Sequence, residues 1–167
     1  MVNGRMRTLA PRRRRPAELM KALNDALMQR KVEGRYVTLL IALWHAHSQQ
    51  LTMSNAGGSP PMVCRNSDIL KVQVEGVPLG LLPHREYEEV TFQARECDLV
   101  ILFSDGVSDH LSVTGEEYGR GGLARVVRRC CDFTPRQIVE EVFADLDKFN
   151  TERFDDQTLI VMRVNSK

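Results

Sequence analysis

The chain has 167 residues, of which 43% are hydrophobic and 27% are charged, and its formal net charge is +1. This length and composition indicate one globular domain with a sizeable core, and the near-zero net charge gives no electrostatic case for nucleic-acid binding. The longest apolar run, YVTLLIALW (36–44), has nine residues, about half of what a membrane-spanning helix needs. We therefore expect a cytoplasmic protein with neither a nucleic-acid nor a membrane partner.

The basic residues are unevenly distributed. Residues 1–15 contain six arginines and no acidic residue, which we interpret as a solvated segment, with an anion-binding surface as the alternative. We predict a basic N-terminal segment over 1–15 and a single domain over 16–167. Neither the four histidines nor the four cysteines show a metal-ligand spacing, so a zinc site is not indicated and a reducing compartment fits the sequence.

The first predicted element is a helix over PAELMKALNDALMQRK (16–31). Its proline lies in the first turn, where the missing N–H costs nothing, and Arg15 at the N-cap position leaves the helix without a side-chain cap. Gly34 is expected to end the helix. The apolar residues that share one face, which is typical of a helix packed on a core, are Leu19, Met20, Leu23 and Leu27.

Short apolar segments then predict strands. YVTLLIALW is continuous rather than alternating, which indicates a strand covered on both faces, whereas the next strand, LTMSN (51–55), alternates. Glycine and proline mark AGGSPP as a turn. The further predicted strands are MVCR, ILKVQV, EEVTFQA, CDLVILFS and, at the end of the chain, QTLIVMRV.

Two helices precede the last strand. They are predicted over GLARVVRRCC (122–131) and TPRQIVEEVFADLDKF (134–149), and the second begins with a capping box formed by Thr134 and Gln137. The chain thus runs through one helix, about six strands, two helices and a last strand. Short strands in hairpin order predict antiparallel sheets covered by helices, an α/β sandwich.

Acidic residues stand at the ends of two apolar strands. In ILFSDGVSDH (101–110) Asp105 follows a strand, and Asp155 and Asp156 precede TLIVM. If the two strands are antiparallel neighbours, Asp105 and Asp155 come together, and such carboxylates repel each other unless a cation lies between them. Mg²⁺ and Mn²⁺ prefer oxygen ligands of this kind. The alternative at each place is a plain turn.

Six segments of the chain, taken in order, resemble the C-terminal part of the metal-dependent protein serine/threonine phosphatases (the PPM family). The resemblance is to the bacterial branch that includes sporulation stage II protein E and the phosphatases of sigma-factor regulation. The segments are PAELMKALNDAL, RYVTLLIALW, NAGGSPP, GVPLGLLP, LVILFSDGVSD and FDDQTLIVMRV. This resemblance implies an α/β fold that is a partial α-β-β-α sandwich, with antiparallel sheets flanked by helices and the N-terminal strands missing.

The resemblance also implies a site. In the family two Mn²⁺ or Mg²⁺ ions, held by aspartates, activate water for attack on a phosphoserine or phosphothreonine of a protein substrate. Carried over to matching positions, it implies Asp105 and Asp155 as metal ligands, Asp156 as an outer or alternative ligand, and Asp109 as a further candidate. Gly106 would let the backbone turn tightly at the site.

Two departures from the family pattern bear on function. The family's first metal-binding segment, of the D-x-S-G-H-G type, has no counterpart in the chain, and Gly58 stands where this branch commonly has histidine. With few ligands we expect weak metal binding and little activity. Two hypotheses follow: a phosphatase domain acting on a bacterial signalling protein, or a catalytically silent interaction module of the same fold. Missing strands also predict a homodimer formed through exposed sheet edges.

Overall fold

The computed structural model describes residues 15–29, 36–153 and 155–165. The helices are α1 (Pro16–Met28), α2 (Asp105–Ser108), α3 (Gly119–Arg129) and α4 (Pro135–Phe149). The strands are β1 (Leu39–His45), β2 (Gln50–Ala56), β3 (Met62–Arg65), β4 (Asp68–Lys71), β5 (Val90–Gln93), β6 (Leu99–Phe103) and β7 (Leu159–Arg163). The predicted basic segment lies outside the described residues, except for Arg15. The helix predicted over 16–31 ends earlier, at Met28, and Gly34, which was expected to end it, lies outside the described residues.

The elements form two compact units. The first comprises the described residues of Met1–Pro60 and Gln73–Ala94, and the second those of Pro61–Val72 and Arg95–Lys167. Every strand pair in both units is antiparallel, as the sequence predicts, and each unit combines a sheet with helices, which confirms the α/β class. None of the helices within the described ranges has the length and apolar character needed to cross a bilayer.

In the first unit, α1 packs on a three-stranded sheet with the order β1-β2-β5. The predicted apolar face of the helix is the packed one, and the N-cap Arg15 makes no side-chain capping bond. Removing the apolar side chains of this core from water stabilises the unit. Its buried residues are Leu19, Met20, Leu23, Ala56, Leu79 and Tyr87.

The burial of β1 and β2 is the reverse of the prediction. β1 forms one edge of its sheet and has no buried residue, and the Leu43 side chain is 38% exposed. β2, predicted to alternate, is the central strand and is buried from Leu51 to Ala56. The continuous apolar run therefore predicts a strand correctly but does not show whether the strand is buried. Burial depends on the position of the strand in the sheet.

In the second unit, the strand order is β4-β3-β6-β7. The apolar faces of α3 and α4 pack with β3 and β6 around a core that includes Ile101, Leu123 and Ile138. The predicted capping box is confirmed: Thr134 and Gln137 satisfy each other's backbone amides.

A buried ion pair joins the start of β6 to β3. Asp98 is fully buried and accepts from Arg65 through two bonds, of 2.8 Å from Nε and 2.7 Å from Nη2. The Arg95 amide donates to the same carboxylate at 2.8 Å. Because the carboxylate is hydrogen-bonded on both oxygens, its burial is compensated, and the hydrogen bond raises the pKa of the Arg65 guanidinium. The pair fixes the strand that leads to Asp105.

Candidate metal site at the ends of β6 and β7

The register of β6 and β7 brings the predicted acidic residues to one end of the sheet. The two strands are antiparallel neighbours, and Phe103 at the end of β6 pairs with Leu159 at the start of β7. Asp105 follows the first strand by one residue, and Asp155 and Asp156 precede the second. The neighbouring arrangement that the sequence argument required is therefore present.

Ser104 connects the two acidic segments directly. Its amide donates to the Thr158 carbonyl oxygen at 3.0 Å. Its hydroxyl accepts from the Thr158 amide at 2.9 Å and donates to the Asp156 carbonyl oxygen at 3.1 Å. Three bonds from one residue thus hold the chain before β7 against the chain after β6.

A glycine is needed at position 106 because the Asp156 backbone lies too close for a side chain, and not because the backbone adopts a special turn conformation. It lies in the first turn of α2, is buried, and is not among the glycines with positive φ in the described residues. A Cβ at this position would lie 2.4 Å from the Asp156 carbonyl oxygen, a distance that real Cβ atoms do not tolerate. The expectation that Gly106 permits a tight turn is therefore replaced by a steric role: it lets α2 contact the Asp155–Asp156 backbone.

The four candidate carboxylates are exposed, and those of Asp105, Asp155 and Asp109 each accept a hydrogen bond from an adjacent residue. Asp105 Oδ1 accepts from the Gly106 amide at 3.1 Å, and Asp155 Oδ1 accepts from the Asp156 amide at 2.7 Å. Asp109 ends the short helix, where its amide donates to the Asp105 carbonyl oxygen at 2.7 Å. Asp109 Oδ1 accepts from the Ser108 hydroxyl at 2.8 Å.

The side chains of these residues are of the chemical type that binds divalent cations. They offer hard carboxylate oxygens at a solvent-facing strand end, which suits Mg²⁺ or Mn²⁺. Their number is small: the described part of the chain contains no group of three or more histidine, cysteine, aspartate or glutamate residues placed to hold a metal ion. The carboxylates are thus suitable oxygen donors, without a third clustered ligand among the described residues.

A buried histidine supports the segment that carries Asp155. His110 is 3% exposed, and its Nε2 lies 2.9 Å from the Asn150 carbonyl oxygen. Because a carbonyl oxygen only accepts, Nε2 carries the proton. Nδ1 lies 3.2 Å from Gln157 Nε2. The other three histidines, His45, His47 and His84, are exposed.

The positively charged side chain of Arg120 lies beside the end of β6. The Arg120 guanidinium carbon is 5.0 Å from the centroid of the Phe103 ring, and Nη2 donates to the Pro61 carbonyl oxygen at 3.2 Å. Burial lowers the pKa of this guanidinium, but an arginine has so high a starting value that it stays charged at neutral pH.

A groove is formed by the loop before β7. Its lining residues are Arg153, Asp155, Asp156, Gln157 and Thr158. The Arg153 guanidinium is paired with Asp147 at 3.1 Å on α4. This groove leaves the predicted ligand Asp155 accessible from solvent.

The residues that contact the two acidic segments have no clear signal in the sequence. Ser104 precedes an Asp-Gly pair, where a serine predicts only a helix cap, and the contacts of His110 and Gln157 join residues 47 apart. No local pattern could have identified these contacts.

The glycine-rich NAGGSPP loop is organised within the first unit. Asn55 is buried, its Oδ1 accepts from the Gly58 amide at 2.9 Å, and its Nδ2 donates to the Gly58 and Val74 carbonyl oxygens. A Cβ at Gly58 would lie 3.3 Å from its nearest neighbours. A larger side chain at Gly58 would therefore require local adjustment of this loop.

Solved structures share this fold. The PP2C phosphatase domain of SpoIIE from Bacillus subtilis, with a fragment of its regulatory domain, superimposes with a TM-score of 0.82 at 20% identity over 98% of this chain and 48% of that one. The SiaA-PP2C domain of Pseudomonas aeruginosa gives a TM-score of 0.79 at 16% identity over 97% of this chain and 65% of that one. The fold is that of the PP2C-type (PPM) phosphatases.

Sequence comparison assigns the family. Phosphoserine phosphatase RsbU of Bacillus subtilis (strain 168) is 24% identical over 151 residues, and stage II sporulation protein E of the same organism is 22% identical over 150 residues. The chain spans 45% and 18% of the lengths of these two relatives. The profile of the Stage II sporulation protein E (SpoIIE) family matches residues 1–165, and the chain belongs to this family of phosphatase domains.

Proposed function

We propose that the chain is part of a metal-dependent phosphatase domain that hydrolyses phosphoserine or phosphothreonine on a bacterial signalling protein. The proposal is supported mainly by the antiparallel pairing of β6 and β7, because Asp105 follows the end of β6, and Asp155 and Asp156 precede the start of β7. The family and the fold support the same activity, and one relative of similar sequence is named a phosphoserine phosphatase.

In this proposal some residues of the second unit bind the metal ions and others position the metal ligands. Asp105 and Asp155 are the ligands of Mn²⁺ or Mg²⁺, and Asp156 and Asp109 are outer or alternative ligands. When bound, such ions activate water and neutralise the phosphoryl oxygens. Ser104 and Gly106 keep the two ligand-bearing segments in contact through the bonds and the close approach described above.

A weak reaction is expected from the chain alone. Two ligand carboxylates leave most of the coordination positions of each divalent ion to water, and high-affinity sites use more protein ligands. Water ligands do not fix the ions relative to each other, so the geometry of a two-metal centre is poorly maintained.

A catalytically silent interaction module of the same fold is the second candidate. It is favoured by the lack of a three-residue metal cluster within the described ranges. Both candidates accommodate a homodimer through a sheet edge, which we propose for β1: of the strands described, it pairs with β2 alone and exposes Leu43.

Phosphate release from a phosphoserine peptide at saturating Mn²⁺ tests the phosphatase proposal. We expect a slow, Mn²⁺-dependent release that Asp105→Ala abolishes and that Asp132→Ala, an exposed carboxylate between α3 and α4, retains. Complete absence of release from the wild-type chain would select the silent module. Fast release that depends on Asp105 would show that the two carboxylates suffice and contradict the proposal of an incomplete site.

A further inference from the structure

Ser104 is the residue at which β6 ends and α2 begins, and its backbone groups are divided between the two. Its amide donates to the Thr158 carbonyl oxygen, which continues the β6–β7 ladder, but its carbonyl oxygen accepts from the Val107 amide at 3.1 Å in the helix. In an antiparallel ladder a hydrogen-bonded pair exchanges both N–H···O bonds. The Thr158 amide would therefore ordinarily donate to the Ser104 carbonyl oxygen, but here that oxygen accepts from the helix and the Thr158 amide donates to the Ser104 hydroxyl.

The Ser104 hydroxyl supplies the missing acceptor. It accepts from the Thr158 amide at 2.9 Å and donates its proton to the Asp156 carbonyl oxygen at 3.1 Å. Serine is a preferred helix N-cap, yet Ser104 makes no side-chain capping bond to α2. The hydroxyl thus binds the segment before β7 and not the helix that it precedes.

We infer that Ser104 is a positioning residue of the metal site, which fixes the Asp155–Asp156 segment relative to Asp105. This inference rests on the proposed function, because it concerns the ligands of that site. Ser104 is adjacent to one ligand and bonded to the backbone of the other ligand segment. Residues that orient metal ligands in this way commonly change metal affinity by about 10–100-fold when they are mutated.

The test compares Ser104→Ala with Ser104→Thr, which keeps a hydroxyl, and with Ser112→Ala as a matched control. The Ser112 hydroxyl also accepts backbone amides, from Thr114 at 3.2 Å and Glu116 at 3.0 Å, but in the loop after α2. Mn²⁺ is titrated into each full chain, and the paramagnetic broadening of the Asp105 and Asp155 amide signals is followed by NMR. Hydrogen exchange of the Thr158 amide is measured without metal.

For Ser104→Ala we expect half-maximal broadening at about tenfold higher Mn²⁺ and faster exchange of the Thr158 amide. Ser104→Thr and Ser112→Ala should behave as the wild type. Unchanged Mn²⁺ affinity in Ser104→Ala, or an equal loss in Ser112→Ala, would overturn the role of Ser104 and leave the proposed function standing. Absence of broadening in the wild type at every Mn²⁺ concentration would overturn the proposed function and this inference with it.

One measurement does not depend on whether Ser104→Ala folds. In the wild-type chain the Thr158 amide should exchange slowly, because its proton is bonded to the Ser104 hydroxyl. Exchange as fast as that of an unprotected amide would show that the bond does not hold the segment and would overturn the inference.

Discussion

At the scale of single residues, the two acidic segments of the candidate site are joined by contacts to the backbone and not by their charged side chains. Asp105 and Asp155 each bond to the amide of the following residue, so neither side chain holds the other segment. The contacts between the segments are made by Ser104 and by the bare backbone of Gly106. A serine and a glycine, which carry no charge, therefore join the two acidic segments.

Gly106→Ala should disturb this contact and lower the free energy of unfolding by about 1–3 kcal/mol, since the added methyl group would meet a backbone oxygen that cannot rotate away. Urea denaturation measures the change. Gly121→Ala is the matched control: its Cβ would meet no atom within 4 Å in α3, and alanine should stabilise the helix by roughly 0.5–1 kcal/mol. Equal stability of the Gly106→Ala variant and the wild type would contradict the close approach.

At the scale of elements, the edge strands of the two sheets differ in length and burial. β1 is seven residues long and has no buried residue, and an edge strand of this kind presents unpaired backbone groups to any second strand. β7 is also an edge and exposes Ile160, which is 55% accessible, but it has only five residues. β1 is thus the better edge for pairing between two copies of the chain.

Leu43→Lys should convert a dimer into a monomer, because a lysine on an edge strand opposes strand pairing. Sedimentation velocity at several protein concentrations measures the state. Ile160→Lys places the same charge on β7, an edge of the four-stranded sheet, and should leave the dimer intact. A wild-type chain that stays monomeric at high concentration, or a dimer insensitive to Leu43→Lys, would refute pairing through β1.

At the scale of the whole molecule, the helices and strands and their order along the chain were predicted from the sequence better than the burial of each strand was. Hydrophobic periodicity and the Thr134 cap are local signals, and they located the helices and strands. The burial of β1 depends on which strands become its neighbours, a property that no window of sequence contains. The one-turn helix at Asp105–Ser108 was missed because four residues are too few to show a period.

The candidate site was predictable to the same extent. Two acidic groups at the ends of apolar strands indicated a shared location, and β6 and β7 are the antiparallel neighbours that this prediction requires. The bonds of Ser104 and the contact of His110 with Gln157 connect residues about fifty positions apart. Such contacts follow from the three-dimensional arrangement and have no sequence signature.

The central claim, that Asp105 and Asp155 bind the same ion, is tested most directly by a double-mutant cycle of Mn²⁺ affinity. Free Mn²⁺ is measured by electron paramagnetic resonance in titrations of the wild type, Asp105→Asn, Asp155→Asn and the double variant. We expect each single substitution to weaken binding by about tenfold or more and the double substitution to add little, since ligands of one ion are not independent. Single substitutions that leave the affinity unchanged, or losses that simply add in the double variant, would contradict a shared site.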